Sequence, residues 1–289
     1  MLSLSRPLVV ISFLSLLGCA TAPATPSQAA PNAERISMVA GRAGRLRVSD
    51  GGTGGVPVVF LHGLGSDLEA WRAQLVHLRS SRRAIAYDQR GHGGSDDARD
   101  GVYTIAALVE DLDAVASSLG LNRFYLVGHS MSGEILTAYA AAHPERLAGL
   151  VYADALGDLT AIPKPQIEQM LQQESSPAFG KQQEREIFSR MLLVAQPSTR
   201  ERVLTSLDRL TPSRFAALRR SMVEFRARPL LRQFRGPRLV IEAAGPPNPA
   251  LFSTLDPTAS RTQLAGVSHW LMMDDPDGFN RTLDAFIRD

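Results

Sequence analysis

Short unbroken apolar runs alternate along the chain with stretches whose apolar residues recur every three or four positions. Residues 56–61 (VPVVFL), 84–87 (AIAY), 124–127 (FYLV), 147–153 (LAGLVYA) and 238–241 (RLVI) have the length and composition of buried strands. A further strand-like segment covers 261–264. Between them, Ile105, Leu108, Val109, Leu112 and Val115 share one helical face, and 133–143 also reads as a helix. This alternation predicts an α/β fold, with a mostly parallel sheet flanked by helices.

One stretch breaks the pattern. From 156 to 235 no strand is legible, but three helical faces are: Ile167, Met170 and Leu171; Val203, Leu204, Leu207 and Leu210; and Phe215, Leu218, Met222 and Phe225. Roughly 80 residues far exceed what one crossover needs. The spacing predicts a helical cap over 156–235, inserted above the C-terminal sheet edge where α/β proteins bind ligands. The core is then 36–155 together with 236–289. The second half of the cap is rich in arginine. A solvated helix surface accounts for this most simply, and attraction to anionic lipid or an anionic substrate is the alternative.

The first residues suggest export. Arg6 precedes an apolar stretch over 7–17 (PLVVISFLSLL), shorter than the roughly 20 residues a membrane-spanning helix needs. It ends in Leu16-Leu17-Gly18-Cys19, which resembles a bacterial lipoprotein signal. That resemblance implies cleavage after residue 18, acylation of Cys19, and an exported protein tethered to a membrane. Cys19 is the single cysteine, so no intramolecular disulfide can form. Residues 19–35, small and proline-rich, read as a flexible tether. The net charge of +2 gives no reason to expect nucleic acid as a partner.

The chemistry concentrates at Gly128-His129-Ser130-Met131-Ser132-Gly133, between a strand and a helix. A serine on such a turn projects its hydroxyl from the sheet edge, with a helix N-terminus beneath it to favour developing negative charge. The usual fifth residue of G-x-S-x-G is glycine, and Ser132 stands there instead. Three further motifs occur in order: His62-Gly63-Leu64-Gly65, the stretch 87–95 (YDQRGHGGS), and Gly266-Val267-Ser268-His269-Trp270. From about Val56 to the end, this ordered set resembles the α/β-hydrolase superfamily. The resemblance implies Ser130 as nucleophile and His269 as base. It also implies an oxyanion hole from the backbone N–H groups of Leu64 and Met131, and no metal or organic cofactor. His62 and His92 would shape loops. His77, on a polar helix face, and His143, at a helix end before Pro144, are poorly placed for catalysis.

The acid departs from the commonest pattern. Relatives usually carry an aspartate after the strand that follows the cap, where this chain has Gly245-Pro246-Pro247-Asn248. An amide cannot supply the charge that orients and stabilises the imidazole. Some relatives place the acid after the preceding strand, and there Asp154 follows 147–153. Parallel neighbours end at one edge, so Asp154 is the expected triad acid. Glu242 sits inside a strand, and Asp274 and Asp275 read as the start of the last helix. The implied activity is hydrolysis of a small carboxylic ester through an acyl-serine. The alternatives are a lactonase, a proline-type aminopeptidase, a C–C hydrolase, a perhydrolase or a non-catalytic binding lipoprotein.

Overall fold

The computed structural model describes residues 33–287. The expected leader, Cys19 and most of the expected tether lie outside that range. Eight strands form one sheet in the order β1-β2-β4-β3-β5-β6-β7-β8. They are β1 (Arg35–Ala40), β2 (Arg45–Gly51), β3 (Val58–Leu61), β4 (Ala84–Tyr87), β5 (Phe124–His129), β6 (Leu147–Ala153), β7 (Arg238–Ala243) and β8 (Ser260–Leu264). From β4 to β8 all neighbours are parallel, while β2 pairs antiparallel with both β1 and β4.

The β1–β2 hairpin is an element the apolar-run reading passed over. β1 is the exposed edge, with only Val39 buried, while β2 is covered from Val48 to Gly51 where it pairs with β4. β1 begins at Arg35. Glu34 accepts hydrogen bonds from Ser49 Oγ (2.7 Å), Arg72 (2.9 Å) and Arg79 (3.2 Å), which hold its carboxyl down at about 2 despite partial burial.

Helices α1 (Arg72–Leu78), α2 (Ile105–Ser118) and α3 (Ser132–Ala142) alternate with the central strands. Between β6 and β7 come α4 (Lys164–Glu174), α5 (Lys181–Met191), α6 (Pro197–Leu207) and α7 (Pro212–Glu224), with no strand among them. Two short helices, α8 (Phe252–Leu255) and α9 (Leu271–Asp274), precede α10 (Pro276–Phe286). Trp71, fully buried, lies against Phe60 of β3 and Phe279 of α10, with centroids 4.9 and 5.7 Å apart, and pins the sheet to that helix layer. Truncating such an aromatic costs about 3–5 kcal/mol. On α7, Phe215, Leu218 and Met222 are buried as their helical spacing predicts. On α4, Ile167, Met170 and Leu171 are only partly covered.

Candidate active site

β3, β5 and β6 are parallel neighbours, so their C-terminal ends meet at one edge. Ser130 follows β5 directly and has φ 53°, a left-handed conformation that non-glycine residues seldom adopt. Its N–H donates to Ala153 O (3.2 Å), and its carbonyl accepts from Gly133 N (3.0 Å) and Leu156 N (2.9 Å). The turn is thus held from both sides, which is how a strained backbone persists at a functional site. Gly63 shows how crowded it is: a Cβ there would lie 2.9 Å from both Ser130 Cβ and His129 Nδ1.

Ser132, the departure from the usual glycine, is fully buried and bonded. Its Oγ donates to His62 O at 2.6 Å and accepts from Gln89 Nε2 at 3.2 Å. The hydroxyl therefore ties the serine turn to the loop after β3 instead of disturbing it.

That loop carries Leu64. His62 Nδ1 donates to Gly63 O (2.8 Å) while its Nε2 accepts from Gln89 N (3.0 Å), which fixes a neutral tautomer. His92 likewise donates from Nδ1 to Arg90 O (3.1 Å) and accepts at Nε2 from Gly65 N (3.2 Å). Burial lowers both imidazoles, His92 to about 3, so each is a neutral brace for the loop. From above, α5 and α6 close on the loop. At Gly65 (φ 66°) a Cβ would meet Leu207 Cδ1 at 2.8 Å and Phe188 at 3.3 Å. Asp67, buried, pairs with Arg202 of α6 at 2.5 Å and accepts from Ser206 Oγ at 3.1 Å. Among the described residues neither Leu64 N–H nor Met131 N–H meets a protein acceptor.

Asp154 follows β6 and is the second non-glycine residue with positive φ, at 42°. Its Oδ2 lies 2.6 Å from His269 Nδ1, and its Oδ1 accepts from Ala243 N at 3.1 Å. Both carboxylate oxygens are therefore committed, one to the imidazole and one to the end of β7.

The structure shows how the His269 loop is fixed, which the sequence had not indicated. His129 Nε2 donates to His269 O (2.8 Å), its ring lies 4.6 Å from the His269 ring, and burial drives its own imidazole well below the usual range. Asp274 corrects an expectation. It ends α9 rather than opening the last helix, and its Oδ2 accepts from Ser268 N (2.8 Å) and Oγ (2.5 Å). Asp275 does cap α10, accepting from Gly278 N at 2.9 Å. Glu242 is paired with Arg261 at 2.6 Å, away from the site. His77 pairs with Asp284 at 2.8 Å, and His143 packs on Tyr139.

Ser130, Asp154, His269 and Leu64 open into one cavity of about 280 Å³. The core closes it with Trp270, Leu251 and Asn248, and α5 and α7 close it with Phe188, Phe215, Arg219 and Met222. Asn248 Oδ1 accepts from Ala250 N (3.0 Å), so this residue shapes its turn while facing the cavity.

Ser130, on a strained strand–helix turn, and His269, linked to Asp154, thus line one cavity at the edge of a parallel sheet flanked by helices. The chain belongs to the α/β-hydrolase fold family, whose pattern matches residues 56–230. It is 37% identical over 102 residues to RutD of Variovorax paradoxus (strain S110), named as a carbamate hydrolase, covering 35% of this chain and 38% of that one. It is 35% identical over 116 residues to 2-hydroxymuconate semialdehyde hydrolase of Pseudomonas sp. (strain CF600), covering 39% and 41%. The matched stretches thus span less than half of these relatives' lengths. Among solved structures, an esterase of Thermogutta terrifontis superposes with a TM-score of 0.74 at 24% identity, covering 88% of this chain and 98% of its own. That likeness shows the fold alone.

Proposed function

We propose that this protein is a serine hydrolase that cleaves a small carboxylic ester through an acyl-serine. The observation that carries the reading is the 2.6 Å contact between His269 Nδ1 and Asp154 Oδ2, in the cavity that Ser130 also lines. An Nδ1–H given to a carboxylate leaves Nε2 as the free lone pair, the form a base needs. Ser130 Oγ attacks the carbonyl carbon, and its proton passes to His269 Nε2. The resulting oxyanion is held by the N–H groups of Leu64 and Met131, each worth about 10²–10³ in rate. Collapse breaks the C–O bond, and the imidazolium gives its proton to the leaving alcohol. A water molecule, deprotonated by the same imidazole, then attacks the acyl-serine. The acid is released as Ser130 Oγ recovers the proton.

In this reading α4–α7 act as a cap. Phe188, Phe215 and Met222 make an apolar wall that suits the acyl part of a substrate. Cys19 remains the proposed lipid anchor of an exported protein, and mass spectrometry of the mature N-terminus tests that assignment. The enzymatic reading is tested with a fluorophosphonate probe and a p-nitrophenyl ester series. Labelling of the wild type but not of Ser130→Ala supports it, and a folded wild type that neither labels nor hydrolyses any ester removes it.

A further inference from the structure

Most arginines on α5–α7 have a structural partner. Arg185 meets Asp208 (2.5 Å), Arg202 meets Asp67 (2.5 Å), Arg214 meets Asp97 (3.1 Å) and Arg219 meets Glu174 (3.1 Å). The run that follows is different. Arg220, Arg226, Arg228, Arg232 and Arg235 are all exposed, and among the described residues none pairs with a carboxylate. Arg226 donates only to the carbonyls of Val223 (2.6 Å) and Phe225 (2.8 Å). Glu224 is the single acidic residue in the run.

Five arginines against one glutamate exceed the whole chain's net charge of +2, so the remainder of the protein is slightly acidic. The positive charge is therefore concentrated in one segment of 16 residues. Asp158 accepts from the backbone N–H groups of Ala227 (3.1 Å) and Arg228 (3.4 Å), but among the described residues no carboxylate pairs with any of the five guanidinium groups. Guanidinium groups match phosphate oxygens in a planar, two-pronged geometry. Val223, Phe225, Leu230 and Leu231 are interleaved with them and only partly covered. Basic and apolar side chains in alternation suit the boundary between lipid headgroups and acyl chains. A basic stripe alone would also suit nucleic acid, and the interleaved apolar side chains are what favour lipid.

We propose that the surface from Arg220 to Arg235 docks on anionic phospholipid. It begins on α7 itself, whose Phe215, Arg219 and Met222 form one wall of the cavity that Ser130 lines. Docking would hold that wall near the bilayer, where acyl compounds partition. The docking itself does not depend on the acyl-serine reading.

Vesicle co-sedimentation tests it, using the full chain carrying Cys19→Ser so that no acyl group contributes. Each arginine near an anionic surface is worth roughly a five-fold gain in partitioning. Wild type should bind phosphatidylcholine vesicles containing phosphatidylglycerol far better than phosphatidylcholine alone. The difference should collapse between ~0.1 M and ~1 M salt, as the screening length falls from about 10 to about 3 Å. Replacing all five arginines by glutamine should lower binding by more than about 100-fold, and Arg228→Gln/Arg232→Gln alone by about 25-fold. Hydrolysis of a soluble ester, where present, and the melting temperature should not change. Equal binding to both vesicle types, or an unaffected five-fold variant, overturns the proposal. So does a wild type that retards a short DNA duplex without binding phosphatidylglycerol.

Discussion

Asp154→Asn tests the proposed acid with a defined stereochemical consequence. In the native site Oδ1 accepts from Ala243 N–H at 3.1 Å and Oδ2 accepts from His269 Nδ1–H at 2.6 Å. An asparagine has one acceptor oxygen and one NH₂ group. Ala243 N–H can only donate, so the amide oxygen must face it. The NH₂ then points at His269 Nδ1, which has to become the acceptor. The imidazole proton moves to Nε2, and the lone pair that would receive the Ser130 proton is lost. This wrong-tautomer penalty is on the order of 10⁴ in kcat, about 5 kcal/mol of barrier. The backbone should not object, because asparagine tolerates the left-handed φ of 42° as well as aspartate does. Turnover of a p-nitrophenyl ester, with melting followed in parallel, reads the effect. The expected result is a loss on the order of 10⁴ in kcat, an unchanged KM and a melting temperature within a few degrees of wild type. A loss below about ten-fold in a variant that melts normally would remove Asp154 from the triad.

Other substitutions address the supporting frame. Gly63→Ala puts a methyl 2.9 Å from Ser130 Cβ, and it should lower kcat and cost about 1–3 kcal/mol in a denaturant titration. Ser132→Ala removes the 2.6 Å bond to His62 O and should cost about 1 kcal/mol, a fall of about 2–4 °C by calorimetry, with activity largely kept. Glu134 of α3 is fully buried with neither carboxyl oxygen bonded, and burial pushes its pKa well above the usual value. The folded state therefore holds a proton that the unfolded chain releases above its ordinary carboxylate value, so stability is full below that pH and declines as pH rises toward the folded pKa. Glu134→Gln should abolish that decline and stabilise the protein at neutral pH. Chemical denaturation at several pH values would show parallel curves if this is wrong. Conversely, His62, His92 and His129 are buried neutral, with pKa values lowered by burial, so each should remove about 1.4 kcal/mol per unit as pH falls below about 6.5.

What was legible in the sequence follows from what each signal depends on. The buried parallel strands are continuous apolar runs, so 124–127 and 147–153 could be read directly, and they fix where Ser130 and Asp154 must emerge. The β1–β2 edge alternates polar and apolar residues over a few positions, a weaker pattern that a search for apolar runs passes over. Asn248 was informative through what it lacks, since its amide directed attention to Asp154 one strand away. The role of His129 was invisible because it depends on a contact with a carbonyl 140 residues further on. Asp274 was misplaced by a local rule: proline at 276 announces a helix start, but only tertiary structure shows that the residue two before it braces the histidine loop.

The position of Asp154 also has a consequence for how this scaffold can change. Carried on the strand beside the serine strand, the carboxylate precedes the α4–α7 insertion, and the turn after β7 has no acid to present. That turn, through Asn248 and Leu251, still borders the cavity. Side-chain changes that keep its length can therefore alter substrate choice while Ala243 N–H still holds Asp154, and Pro246 to Asn248 is the natural first target for redesigning selectivity.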